Sequence, residues 1–245
     1  MRRWNGWGEE SIETNLNPQA LEFLQQQIGP GITPGDAAFA SVLTSIPASR
    51  MPAHPLVDTS AEVRMRHALG QSLPDWLRLR YGKIGKVPDG VAFPETGEQV
   101  AQLLAWTRSL NIIVIAYGGG TSVVGHLTAP DGDKLVLTIS MARLSRLIDL
   151  DKQAQLARFG AGVLGPDLEA QLRAYGYTLG HFPQSFEYST LGGWVVTRSS
   201  GQQSYRYGRI EQMFAGGRVE TPVGRLDIPT FPASAAGTDL REIVL

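Results

Sequence analysis

Hydrophobic and polar positions fall into clear periods from about residue 90 onward, and only sparsely before it. In Thr96–Ser109, Val100, Leu103, Leu104 and Thr107 recur at helical spacing behind a capping box of Thr96 and Gln99, so a helix is predicted. Asn111–Ala116 is a continuous, largely β-branched run, the pattern of a strand buried on both faces. With the short extended piece Val87–Pro94, this makes a β–α–β unit whose strands are expected to be parallel, with a right-handed crossover. Lys134–Ser140 is a further strand candidate. Ser145–Asp149 and Gln155–Gly160 are expected to pair as a hairpin around Asp151-Lys152-Gln153. A second helix is predicted from Pro166, with Asp167 and Glu169 in its first turn, Leu168 and Leu172 inward and Gly176 past its end. Hairpin-like strands are expected from Phe214, turning at Gly216-Gly217 and Gly224, and a helical start at Thr238-Asp239.

Residues 1–87 read differently. Prolines and short polar runs break them up, and the segment is expected to be mostly irregular or helical and to wrap a core built elsewhere. Pro18–Ile28 reads as an amphipathic helix through Leu21, Leu24 and Ile28, and another starts near Ser60 with Val63 and Leu69. Arg64 and Arg66 read as surface residues.

The bulk numbers narrow the classes. The chain has 245 residues, 42% hydrophobic and 18% charged, which suits an ordinary globular protein. A net charge of −1 offers nothing to nucleic acid, so any grip on an anion must be local. The absence of cysteine excludes disulfides, thiolate metal sites and a cysteine nucleophile. No window approaches the roughly 18 apolar residues of a membrane span, and Met1–Trp7 has no apolar signal region. A cytoplasmic location is therefore expected.

Three loops carry candidate chemistry. Ala116-Tyr117-Gly118-Gly119-Gly120-Thr121-Ser122 follows the β-branched strand. Its glycines allow close backbone approach to a ligand, its successive N–H groups suit an anion nest, and Thr121 and Ser122 add hydroxyls. It matches neither the dinucleotide fingerprint G-x-G-x-x-G opening a helix nor the P-loop. A valine at Gly119 is expected to block that approach and leave folding largely intact. The second loop, Gln184-Ser185-Phe186-Glu187-Tyr188-Ser189-Thr190, leads into Gly192-Gly193-Trp194. The third is Thr197-Arg198-Ser199-Ser200-Gly201, whose hydroxyls and arginine suit phosphate or ribityl oxygens. Each has a bland alternative: a turn between strands, a surface loop feeding a helix or strand, and a solvated loop. The four histidines are scattered and read as structural, with His126 and His181 nearest the special loops.

Taken together, in this order and at these spacings, the three loops resemble the FAD-contacting segments of the PCMH-type (vanillyl-alcohol-oxidase) flavoproteins. The likeness is nearest to the alkylglycerone-phosphate-synthase group and its bacterial FAD-linked oxidase relatives. Arg3-Trp4-Asn5-Gly6-Trp7-Gly8 and Tyr177-Thr178-Leu179-Gly180-His181 share it. The resemblance implies an α+β, PCMH-type FAD-binding domain of two α+β subdomains: a small parallel β–α–β unit, 88–125, and a larger part with a mixed sheet, 126–245. FAD would lie between them. Carried over by position, Ala116, Tyr117, Gly118, Gly119, Gly120, Thr121 and Ser122 would hold the pyrophosphate. Gln184, Ser185, Glu187, Tyr188, Ser189, Thr190 and Gly193, with Thr197, Arg198, Ser199 and Ser200, would line the rest of the cofactor. Gln184 stands where the family often has an acid. Thr121 stands where covalent relatives have the attached histidine, so non-covalent FAD is expected.

The function implied is FAD-linked oxidation of a hydroxy acid or alcohol. The alternative is the alkylglycerone-phosphate synthase reaction, in which an acyl group is exchanged for a fatty alcohol without net redox. The family's remaining FAD loop and its cap domain have no counterpart in these residues, so no catalytic base is assigned and the chain is expected to be truncated. A non-catalytic remnant and a module for another phosphorylated ligand stay open beside these readings. A small-molecule substrate is expected, with no nucleic acid; the resemblance also allows a homodimer.

Overall fold

The computed structural model describes residues 1–245 apart from 14, 33, 34, 231–234 and 236. Helix α1, Pro18–Ile28, forms as its pattern predicts: Asn17 caps it by accepting from the Gln19 N–H, and Pro18 opens it. Its apolar stripe nevertheless stays exposed, with Phe23 at 61% and Ile28 at 81%. Helices α2 (Phe39–Ser45), α3 (Ala61–Arg66) and α4 (Leu73–Arg80), with strand β1 (Val57–Asp58) between α2 and α3, complete the first part. They build a cluster of their own around Val42, Met65, Ala68, Leu69, Leu79, Ile84 and Val87, so this segment does more than wrap a distant core. Ser72 and Asp75 form a reciprocal capping box at the start of α4.

Strand β2 (Gly90–Ala92) leads into helix α5 (Gly97–Ser109). Thr96 accepts from the Gln99 N–H as expected, but the Gln99 side chain reaches the Glu95 N–H, one residue before the cap. Leu103, Leu104 and Thr107 are buried as predicted, each leucine contributing about 1.5–3 kcal/mol of transfer free energy. Strand β3 (Ile113–Tyr117) then runs parallel to β4 (Val136–Ser140), and so does β2.

The sheet order is β1-β2-β4-β3. The β-branched run 111–116 was expected to be buried on both faces; instead β3 is an edge strand and its residues 113–115 are only half-buried. The physical reason is the insertion of β4, every residue of which is buried, between the two strands of the β–α–β unit. This sheet therefore draws on residues before 88 and after 125. Asp89 ties its strands together: its backbone N–H donates to the Val136 carbonyl at 2.8 Å, and its carboxylate accepts from the Val136 N–H at 2.9 Å.

Beyond Ser140, β5 (Leu147–Asp151) and β6 (Leu156–Phe159) form the predicted hairpin. Helix α6 (Gly165–Arg173) carries Leu168 and Leu172 inward. Short helices α7 (Leu191–Val196), α8 (Ser204–Tyr207) and α9 (Ile210–Met213) precede a second hairpin, β7 (Gly217–Thr221) with β8 (Gly224–Ile228). The expected mixed sheet is thus two separate two-stranded ribbons, each satisfying its inner backbone groups by antiparallel pairing. Leu103, Leu104, Ile112, Leu137 and Ile139 form a second core on the four-stranded sheet, and a third gathers Val163, Leu168, Leu172, Trp194, Val195 and Ile210. Among the described residues no helix is long and apolar enough to cross a membrane, and no group of three or more ligating side chains is placed to hold a metal.

Two arginines expected on the surface differ from each other. Arg64 is 2% exposed: its Nε donates to the Pro88 carbonyl at 2.7 Å and its Nη1 to the Pro47 carbonyl at 2.8 Å. Those carbonyls come from loops whose approach no local pattern encodes. Arg66 is half-buried and pairs with Glu62 at 2.9 Å and Glu10 at 3.6 Å.

Candidate functional site

The sheet delivers the glycine loop to its edge. Strand β3 ends at buried Tyr117, and Gly118, Gly119 and Gly120 follow. The loop packs directly on the second candidate loop. A Cβ on Gly118 would stand 2.3 Å from Thr190 Oγ1, and one on Gly119 would stand 1.6 Å from the Tyr188 carbonyl oxygen. Gly120 has φ +67° and lies against the Tyr117 hydroxyl, where a Cβ would come within 2.0 Å. The glycines are therefore required first by protein packing. This corrects the expectation that a valine at Gly119 leaves the fold intact: it would drive the two loops apart.

The backbone N–H groups of Gly118, Gly119, Gly120, Thr121 and Ser122 donate to no protein acceptor among the described residues. Five successive backbone donors without a protein acceptor, on a glycine loop, are the chemistry that an anion nest requires. The exit of the loop is pinned, since the Gln71 N–H donates to the Ser122 carbonyl at 2.6 Å. Val123, Val124 and His126 beyond it are exposed.

In the second loop, Ser189 and Thr190 are buried, Ser185 and Tyr188 half-buried, and Gln184 and Glu187 exposed. Ser189 Oγ accepts from the Trp194 indole at 2.6 Å and donates to the Ser185 carbonyl at 2.8 Å. Thr190 caps α7, with Gly193 N–H 3.4 Å from its Oγ1, while the N–H of Gly192 donates to the Ala161 carbonyl at 2.8 Å. The Gly-Gly step thus serves the close approach of α7 to Ala161, where a Cβ on Gly192 would meet the Ala161 Cβ at 2.8 Å.

The third loop leaves the end of α7. Thr197 Oγ1 donates to the Gly193 carbonyl at 2.7 Å, and Arg198, at φ +50°, pairs with Glu242 at 2.9 Å. Ser199 Oγ lies 3.2 Å from His181 Nε2, and Ser200 is exposed. Among the described residues this loop shares no hydrogen bond with the glycine loop; α7 is its link to the site. His181 is 1% exposed, its Nδ1 has no partner among the described residues, and burial holds its pKa below the usual imidazole value, partly opposed by Glu211. Burial likewise pushes the Tyr117 hydroxyl up and the imidazole of His67, which packs on Tyr117 with ring centroids 4.5 Å apart, down.

Two residues from the chain's first segment join this junction: Arg2, which carried no signal in the sequence, and Trp7, which the resemblance included without a role. Arg2 donates from Nη1 to the Gly119 carbonyl and lies 5.0 Å over the Tyr188 ring, and Trp7 meets that ring edge-on at 5.1 Å.

Residues 88–227 match the family model described as an FAD binding domain. The chain belongs to this FAD-binding family. FAD is accordingly its cofactor, and the donor set of the glycine loop, backbone N–H groups beside the Thr121 and Ser122 hydroxyls, fits the diphosphate of that molecule in its chemistry. The FAD-binding chain is 38% identical to an alkyldihydroxyacetonephosphate synthase of Dictyostelium discoideum over 74% of its own length and 30% of the relative's. It is 34% identical to an uncharacterized FAD-linked oxidoreductase of Escherichia coli (strain K12), over 65% of this chain and 33% of that one. A solved structure of alkyldihydroxyacetonephosphate synthase superposes with TM-score 0.83 at 28% identity, covering all of this chain and 50% of that chain. The chain thus spans half the length, or less, of these relatives.

Proposed function

We propose that this chain forms the FAD-holding part of a flavoenzyme that oxidises a small hydroxy acid or alcohol. The observation that carries the reading is the junction of the glycine loop with Tyr188–Thr190, where five backbone donors have no acceptor among the described residues and lie beside buried hydroxyls. In this reading Gly118–Ser122 bind the pyrophosphate, Ser185–Thr190 and Thr197–Ser200 line the remainder of the cofactor, and flavin supplies the redox chemistry when bound. The cofactor is held non-covalently: Thr121 offers no nucleophilic imidazole, and His126 is exposed beyond the loop. A second reading, exchange of an acyl group for a fatty alcohol on dihydroxyacetone phosphate, is favoured by one observation. In sequence, an alkyldihydroxyacetonephosphate synthase of Trypanosoma brucei brucei aligns over 97% of this chain at 32% identity, whereas the oxidoreductase relative aligns over 65% of it.

The first test is the absorption spectrum before and after acid denaturation. Flavin colour released on denaturation supports non-covalent FAD. Colour that stays with the protein overturns the non-covalent assignment, and a colourless protein that takes up no added FAD overturns the reading. The two chemistries then separate under anaerobic conditions. A hydroxy-acid substrate bleaches the bound flavin in the first, whereas in the second a fatty alcohol releases fatty acid from acyl-dihydroxyacetone phosphate without bleaching.

A further inference from the structure

Arg2 reaches the glycine loop from 117 residues away in sequence. It arrives on a short pinned segment: the backbones of Arg2 and Glu9 form an antiparallel β-bridge, the Arg3 N–H donates to the Gly8 carbonyl at 2.8 Å, and Arg66 Nη1 donates to the Arg2 carbonyl at 3.2 Å. Its guanidinium forms no ion pair with a carboxylate among the described residues, and its Nη2 is buried without a partner. The neighbouring cation, Arg66, is by contrast neutralised by Glu62 and Glu10.

We infer that Arg2 is a positioning residue for anion binding at the glycine loop, acting through the Gly119–Gly120 peptide. This rests on the FAD reading above. No cis peptide bond is present among the described residues, so the Gly119 carbonyl and the Gly120 N–H point in opposite directions across one rigid plane. The guanidinium that holds the carbonyl therefore turns the Gly120 N–H to the far side, among the free donors. A charged donor on the carbonyl also polarises the amide and strengthens the N–H as a donor. Its positive charge stands behind a loop that has no charged side chain of its own, at a range where a doubly negative pyrophosphate feels it. Trp7 and Arg2 both rest on Tyr188, so the same segment keeps the second loop seated.

The test uses the full-length protein with Arg2→Ala and Arg2→Lys. Affinities for FAD and for ADP, which carries the diphosphate without flavin, are measured at low and high salt, together with the melting temperature of the cofactor-free protein. Arg2→Ala is expected to weaken FAD and ADP alike by about tenfold, the scale of one charge-assisted hydrogen bond. Arg2→Lys should recover part of both, because charge is kept and the planar fork is lost. Added salt should weaken the wild type more than Arg2→Ala. If Arg2→Ala melts early, Arg2→Met keeps the apolar stem on Tyr188 and the same two affinities decide. Wild-type affinity for both ligands in the neutral variant that folds overturns the inference while leaving the FAD reading intact. A wild-type protein that binds neither ligand overturns both.

Discussion

The carbonyl oxygen of Tyr188 stands 1.6 Å from the point a Cβ on Gly119 would occupy. Backbone cannot yield there as a flexible side chain would. Gly119→Ala is therefore expected to lower stability by about 1–3 kcal/mol through overpacking, and to loosen FAD at the same time. Gly6→Ala is the control, since nothing lies within 4 Å of its Cβ position. Thermal melting with flavin absorbance reads both effects. Equal melting temperatures for the two variants would mean that the loops do not meet.

Ser189 and Trp194 make the second case. The buried indole N–H has its acceptor in Ser189 Oγ at 2.6 Å. Ser189→Ala leaves that donor unsatisfied, which costs about 1–3 kcal/mol. Denaturant unfolding followed by tryptophan fluorescence should show the loss, and an unchanged midpoint would refute the contact.

Arg64 bridges two loop carbonyls from inside the first core. Lysine cannot donate to both in one plane, so Arg64→Lys is expected to lose about 1.5–3 kcal/mol, the range for hydrogen bonds to charged groups. Urea unfolding of the variant measures it, and wild-type stability in Arg64→Lys would rule the bridge out as a stabilising element.

Stability should fall as pH drops below about 6.5, the ordinary imidazole value. Burial holds the folded pKa values of His67 and His181 below it. Between those depressed values and 6.5 the unfolded chain binds more protons than the folded one, so acidification favours unfolding. Their contribution is thus fully present above pH 6.5 and is lost toward the depressed values. Melting temperatures at pH 7.5, 6.5 and 5.5 test this. The double variant His67→Gln, His181→Gln should flatten the profile over that range, and an equally steep profile in it would assign the effect to other groups.

Much of the local structure was legible in the sequence. Thr96 announces α5, Asp151–Gln153 announces the β5–β6 turn, and the spacing of Leu21, Leu24 and Ile28 announces α1. Glu169 shows the limit of such reading. The sequence places it in the first turn of a helix opening at Pro166, yet α6 opens at Gly165 with Asp167 as the acid of its first turn. Glu169 lies beyond that turn, is 1% exposed and accepts from Thr178 Oγ1 at 2.7 Å and from the Leu179 and Gly180 N–H groups at 3.0 and 3.1 Å. A helical period says which face a residue is on, and says nothing about which donors will close over it.

The sequence by itself determined the short-range features: element types, caps, turns, and a glycine loop ending a β-branched strand whose order with two hydroxyl-rich loops marks an FAD-binding chain. These depend on backbone preferences within a few residues, which composition and spacing record. The tertiary structure alone decided that Gly119 meets Tyr188, that β4 displaces β3 to the edge, that Arg64 is buried, and that Arg2 stands behind the glycine loop. Each is a choice of partner between distant segments, made by competition for burial and for unpaired carbonyls across the whole fold, and no local period encodes such a choice.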